Sequence, residues 1–265
     1  MIIVGELINS SRKRIHQAIL DRDVTFIQNV AKTQADAGAD YIDVNAGTFL
    51  EKEIDYLPWL VESVQATVDL PCCLDSPSPA ALEKAMSVHR GVPMINSISL
   101  EIDRYEQMLP VVSQSPCKLV ALCMSKTAMP TTAQARVDVA KQLIDKLGNA
   151  GIKQQDLYID PLVQPVSVDT LMGTAVLNAI GDIRQSFNEV NIICGLSNIS
   201  FGLPERRLIN RYFLALAILK GLSAAIMDPT DRAIMAALKT TLMLVGKDEY
   251  CADFIEAHQS GILKI

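Results

Sequence analysis

The chain has 265 residues, of which 49% are hydrophobic and 20% charged, a balance that supports a large core and excludes a disordered chain. Its formal net charge of −6 argues against a nucleic-acid binder, which needs a concentrated basic face. No apolar run reaches membrane-spanning length, and the start MIIVGE lacks the basic and long apolar segments of an export signal, so a cytoplasmic protein with no membrane partner is expected.

In chain order, short apolar runs fall at residues 2–5, 41–44, 71–74, 93–95, 118–123, 157–159, 191–194 and 224–227. They are too continuous for strands with one wet face and read as buried parallel strands. Segments of helical period lie between them. Residues 24–37 place Phe26, Val30 and Thr33 near one face, and residues 133–147 do the same with Ala133, Val137, Ala140, Ile144 and Leu147. Ser78-Pro79 and the run Asp228-Pro229-Thr230-Asp231 carry helix-start signals. Gly38, and Gly148 or Gly151, are suited to helix ends. Eight strand-helix units with no Gly/Ser-rich linker predict one domain, residues 1–265, folded as a (β/α)8 TIM barrel. An open doubly wound sheet is the alternative, weakened by the lack of a Gly-rich fingerprint after the first strand.

Parallel barrels carry their sites at the C-terminal strand ends. Here those ends read Glu6 with Asn9, Asp43-Val44-Asn45, Asp75, Asn96, Asp160, Gly195-Leu196-Ser197-Asn198, and Asp228. Any one Asp or Asn could be a turn or cap residue, and Asp228 before Pro229 reads best that way. For Asp43 and Asn45, bracing of a loop and contact with a ligand are equally open. Helix capping does not call for so many Asp and Asn residues at one mouth. Ionised carboxylates only accept hydrogen bonds, whereas a carboxamide both donates and accepts. The set therefore suits a heterocycle with several N–H groups beside a carbonyl, such as a pterin. A purely anionic ligand would need Arg, Lys or helix N-termini.

The six cysteines show neither a CxxC pair nor a disulfide framework and read as small buried hydrophobes. His16, His89 and His258 are scattered, so no metal site is expected.

The segments CLDS (73–76), MINS (94–97), LYIDPL (157–162), GLSN (195–198) and RRLINR (206–211) resemble the pterin-binding barrels, above all the methyltetrahydrofolate:corrinoid protein methyltransferases. The likeness runs in order from IIVGELIN to AAIMDPTD and covers nearly the whole chain. It implies that Asp75, Asn96 and Asp160 hold the pterin and that Asn198 lies near N5 of the folate as the catalytic contact. Ser197 and Arg206 are further expected substrate contacts, and Glu6, Asp43 and Asn45 are candidates for a supporting layer behind them. The family commonly has Gln where this chain has Phe201.

The implied reaction moves a methyl group between 5-methyltetrahydrofolate (or tetrahydrofolate) and the cobalt of a corrinoid, in either direction. Cobalt then replaces a protein nucleophile, in keeping with the lack of a nucleophile-base pair at the strand ends. No DxHxxG-type segment is present to ligate a corrinoid within the chain, so a separate corrinoid protein, or free cobalamin, is the expected partner. A homodimer is implied by the resemblance alone. The cluster Arg206, Arg207 and Arg211 reads either as solvated helix charge or as a contact for the folate tail or the partner. A dihydropteroate synthase is the first rival, although it would need a cationic pyrophosphate site near the last strand. A non-catalytic folate carrier is the second.

Overall fold

The computed structural model describes residues 1–125 and 129–264. Eight parallel strands, β1 (Ile2–Asn9), β2 (Tyr41–Asn45), β3 (Cys72–Asp75), β4 (Met94–Ile98), β5 (Lys118–Leu122), β6 (Leu157–Asp160), β7 (Asn191–Ile192) and β8 (Ala224–Met227), alternate with helices. The helices are α1 (Lys13–Leu20), α2 (Val24–Asp36), α3 (Glu53–Gln65), α4 (Pro79–Val88), α5 (Arg104–Ser113), α6 (Ala133–Asn149), α7 (Met172–Ser186), α8 (Arg206–Lys220), α9 (Arg232–Leu244) and α10 (Ala252–Gln259). The strands pair in the order β7-β6-β5-β4-β3-β2-β1-β8. Between the two ends, Ser223 N donates to Ile192 O at 3.0 Å and Ile226 N to Cys194 O at 2.9 Å, and Gly195 bridges Ile226 in parallel. These contacts close the sheet into the expected barrel and dispose of the open-sheet alternative.

Strand side chains alternate between two faces, and the two faces build two separate cores. Inward, Val4, Cys73, Met94, Val120, Tyr158, Ile193 and Ala224 pack into a plug. Outward, a larger core joins strand residues such as Ile42, Leu74, Ile95, Leu119 and Ile159 to the helices. The cysteines follow this division, with Cys72, Cys73, Cys123 and Cys194 all buried.

Several helix boundaries follow the local chemistry. Asp23 Oδ1 accepts from Phe26 N at 3.0 Å to start α2. Ser78 accepts from Ala81 N at the head of α4, with Pro79 in the first turn. At α9 the cap is Asp231, which accepts from Ala233 N and Ile234 N, while Asp228 forms the preceding turn. Gly38 and Gly151 take positive φ just after α2 and α6, whereas Gly148 lies within α6.

The buried face of α2 differs by one position from the sequence expectation. It is formed by Ile27, Ala31 and Gln34 rather than Phe26, Val30 and Thr33. The reason lies in β1, which runs to Asn9 and shifts register between Gly5 and Ile8. Fully buried Gln34 fills that irregularity, its Oε1 accepting from Leu7 N at 2.9 Å. A Cβ on Gly5 would lie 2.5 Å from the same oxygen, so glycine is what lets the amide in. Gln34→Leu removes the acceptor and leaves Leu7 N without it. An unsatisfied buried donor costs about 1–3 kcal/mol, and urea unfolding of the variant should show a loss in that range.

Candidate active site

Two residues beyond each plug position the chain faces inward again, and those residues floor a cavity. Val4 leads to Glu6, Tyr41 to Asp43, Cys73 to Asp75, Met94 to Asn96, Val120 to Leu122, Tyr158 to Asp160, Ile193 to Gly195 and Ala224 to Ile226. All eight line one cavity of about 420 Å³, with Ser197 and Asn198 from the loop after β7. Each strand contributes one residue. Six offer acceptor, donor or bare-backbone chemistry, and Leu122 and Ile226 offer apolar contact.

Burial controls the charge of this floor. It pushes Asp160 up to about 7, against hydrogen bonds from Leu162 N and Gly195 N that favour the ionised form. Burial likewise raises Asp75 to about 6 against the opposing hydrogen bond from Asn45. Asp43 is raised well above the usual carboxylate range by burial and then by the Asp75 charge. Glu6 is raised by burial, which Arg12 partly offsets. Asp43 is 2% exposed, and its Oδ1 has no protein partner among the described residues. Such an orphaned acceptor in the wall of a cavity fits an N–H donor brought by a ligand.

Asn45 has a different task from Asp43. Its Nδ2 donates to Asp75 Oδ2 at 3.0 Å, and its Oδ1 accepts from Ser10 Oγ and Gly47 N at 2.9 and 3.1 Å. It braces Asp75 and the β2 loop and does not line the cavity. Arg104 works similarly from the head of α5. Its Nη2 donates to Ser76 O at 3.0 Å and Ser97 O at 2.6 Å, tying the loops that carry Asp75 and Asn96.

The loop after β7 is a short 3-10 turn, Leu196–Ser200, gripped from two sides. Ser197 Oγ donates to Glu6 Oε2 at 3.3 Å, joining the first strand to the seventh. Arg206 reaches back from α8, its Nη2 donating to Ser197 O at 2.8 Å and its Nε to Ser200 Oγ at 3.1 Å. A Cβ on Gly195 would lie 3.0 Å from Asn198 Nδ2, so glycine leaves that side chain room over the floor. Asn198 itself is exposed at the opening.

The structure thus brings Asp75, Asn96, Asp160, Ser197, Asn198, Glu6 and Asp43 together around one space. Arg206 faces an adjoining recess shared with Glu6, Ser197 and Asp228. The arginine cluster does not act as one patch, because Arg206 holds the loop and Arg207 lies 3.6 Å from Asp231. Asp228 Oδ1 accepts from Thr230 N at 2.9 Å, the turn role expected of it. Sequence reasoning missed Arg12, 2.9 Å from Glu6 Oε1 in the cavity wall. Its signal was the basic run that follows the first strand directly.

Residues 5–228 match the family described as pterin binding enzyme. The chain is 35% identical over 263 residues to a methylcorrinoid:tetrahydrofolate methyltransferase of Eubacterium limosum, across 98% of this chain and 97% of that one. It is 27% identical over 239 residues to methionine synthase of Mycobacterium tuberculosis, across 85% of this chain and 20% of that protein. Among solved structures, dihydropteroate synthase from Xanthomonas albilineans in complex with 7,8-dihydropteroate superposes with a TM-score of 0.71 at 20% identity, over 92% of each chain. At that identity the likeness carries the fold alone.

The raised carboxylates fix a sign for pH dependence. The folded chain keeps a proton on Asp160 up to about pH 7, while an unfolded aspartate releases it near 3.9. The folded state binds more protons in that window, so this residue's contribution to stability falls as pH rises from about 4 to 7. Asp160→Asn removes the effect. The melting temperature of the variant minus that of the parent should climb across this interval and level off above it.

Proposed function

The chain belongs to the pterin-binding enzyme family, and from that premise we propose that it is a methyltransferase acting between a folate and a corrinoid. It transfers the N5 methyl group between 5-methyltetrahydrofolate and corrinoid cobalt. The observation that carries the reading is the cavity floor, where the carboxylates of Glu6, Asp43, Asp75 and Asp160 and the carboxamide of Asn96 converge beside Asn198. In this reading Asp75 and Asp160 accept from the pterin N–H groups, and Asn96 serves its mixed donor and acceptor edge. Asp43, with its orphaned oxygen, faces the same ring from below.

A pterin donor stabilises the ionised form of each carboxylate it meets, which offsets the burial that raises Asp75 and Asp160. Among the described residues, the cations beside this floor are already engaged. Arg12 is paired with Glu6, and Arg206 is spent on loop carbonyl and hydroxyl groups. That favours methyl transfer over the condensation run by a dihydropteroate synthase.

The corrinoid supplies the cobalt that takes or gives the methyl group. The protein's part is to manage N5, which gains a methyl and loses a proton in one direction and does the reverse in the other. Asn198 suits both directions. Its amide oxygen can accept from N5–H as positive charge builds, and its amide nitrogen can donate to the N5 lone pair of the demethylated product. Only a bond that strengthens in the transition state accelerates the step. Glu6, through Ser197, and Arg206, through the loop carbonyl, hold Asn198 in place for it.

The name of the Eubacterium limosum relative favours transfer from methylcorrinoid to tetrahydrofolate as the working direction, with a corrinoid protein as donor. No helix among the described residues is long and apolar enough to cross a membrane. The exposed stripe Leu208, Tyr212, Leu216 and Leu219 along α8 supports a homodimer.

Incubation of the protein with methylcobalamin and tetrahydrofolate should form 5-methyltetrahydrofolate, and no product would refute the reading. Asn198→Ala should lower kcat about 10²–10³-fold, as loss of one transition-state donor does elsewhere, with folate affinity nearly unchanged. Gly195→Ala should lower kcat in the same sense by displacing Asn198. Asp75→Ala should instead weaken tetrahydrofolate binding about 10- to 100-fold by titration, the size expected for a charged hydrogen bond.

A further inference from the structure

Behind the cavity floor lies a charge that the reaction does not use. Arg136, on α6, is fully buried, and its partners among the described residues are all neutral. Its Nε donates to Pro161 O at 2.8 Å, its Nη1 to Thr132 O at 3.1 Å and its Nη2 to Leu162 O at 3.4 Å, with Met172 Sδ 3.8 Å from Nη2. A guanidinium stays charged in a protein, and a buried charge without a counter-charge is costly. The start of α6 does not call for it, because Thr132 Oγ1 already accepts from Ala135 N at 3.1 Å.

Two of its acceptors belong to the residues directly after Asp160. The peptide joining Pro161 to Leu162 is trans, so its C=O and N–H lie in one plane and point in opposite directions. Arg136 Nε holds the carbonyl side at 2.8 Å. From the other side Leu162 N donates to Asp160 Oδ1, also at 2.8 Å. One peptide plane therefore couples the buried cation to the buried carboxylate. A carbonyl bound to a cation polarises the N–H of its own peptide and strengthens the bond that N–H donates. Leu162 has φ 61, a left-handed backbone that disfavours a side chain with Cβ, and Arg136 Nη2 ties down the carbonyl of that same residue.

We propose that Arg136 is a positioning residue for the pterin anchor, orienting and polarising the Leu162 N–H that holds Asp160 for the heterocycle. The inference rests on the reading above in which Asp160 accepts from a pterin N–H. The Leu162 N–H favours the ionised form of Asp160 against the burial that raises it to about 7. Without Arg136 the peptide is free to turn, that bond weakens, and Asp160 keeps its proton to higher pH. A protonated carboxyl is the poorer acceptor for a pterin N–H. No other group around Asp160 takes over the task. Cys123 and Cys194, at the ends of the flanking strands, are thiols that burial keeps protonated. Across the floor stand Glu6, Asp43 and Asp75, and Arg12 is paired with Glu6.

The test is the pH profile of the Kd for tetrahydrofolate, titrated from about pH 5.5 to about pH 9. In the parent, affinity should rise with pH through a midpoint near 7, where Asp160 ionises, and then level off. Arg136→Met should move that midpoint up by about one unit, the weight of one hydrogen bond to a charged group. Its Kd should then be about fivefold weaker at pH 7 and return to within about twofold of the parent at pH 9. Arg136→Lys keeps the charge and one donor, should fold even if the methionine variant does not, and should move the midpoint by about half a unit. In an Asp160→Asn background, which has no charge to tune, Arg136→Met should produce no shift. An affinity loss equal at every pH makes Arg136 a support of the fold alone and overturns the inference, as does an unmoved midpoint in either variant. A parent whose Kd does not vary with pH also overturns it, because the Asp160 charge then plays no part in binding. A parent that binds no tetrahydrofolate refutes the pterin-binding reading itself, and this inference with it.

Discussion

Alternation along the strands is the constraint on which the rest of this structure depends. A barrel of eight parallel strands has an interior too narrow to stay empty, and here Val4, Cys73, Met94, Val120, Tyr158, Ile193 and Ala224 fill it. Once that layer is set, the next inward residue on each strand has no choice of position. It must stand directly above the plug, in a space too small to be part of solvent and too open to be core. Glu6, Asp43, Asp75, Asn96 and Asp160 occupy that layer. Polar groups are tolerated there because a ligand can complete their hydrogen bonds.

The same geometry explains why these carboxylates resist ionisation. Asp160 and Asp75 rise to about 7 and about 6 because the apolar plug below removes solvent from one side. Asp43 is also raised, first by burial and then by the Asp75 charge beside it. A floor lined by desolvated carboxylates favours a ligand rich in N–H groups. That preference is electrostatic in origin, and it is set by packing one layer below the site.

Much of this was legible in the sequence, because strands and strand ends are local patterns. The eight apolar runs gave the barrel, and the polar residues at the ends of the first four and the sixth marked the floor. What stayed hidden depends on contacts distant along the chain. The register shift in β1 and its Gln34 filling moved the buried face of α2 by one residue, which no periodicity of α2 could show. Asp43 and Asn45 look alike in DVN, yet they face different neighbours because Asn45 meets Asp75 and Ser10. Arg206 resembled part of a surface cluster until the turn at Ser197–Ser200 was seen folded beneath its guanidinium.

The account stands or falls on where the pterin lies, and a crystal structure of the protein with tetrahydrofolate measures that directly. The amino and ring N–H edge should meet Asp75, Asn96 and Asp160 within hydrogen-bonding distance, with N5 beside the Asn198 amide and open to the mouth of the barrel. A pterin bound outside this floor, or one whose N5 points away from Asn198 toward the plug, would contradict it.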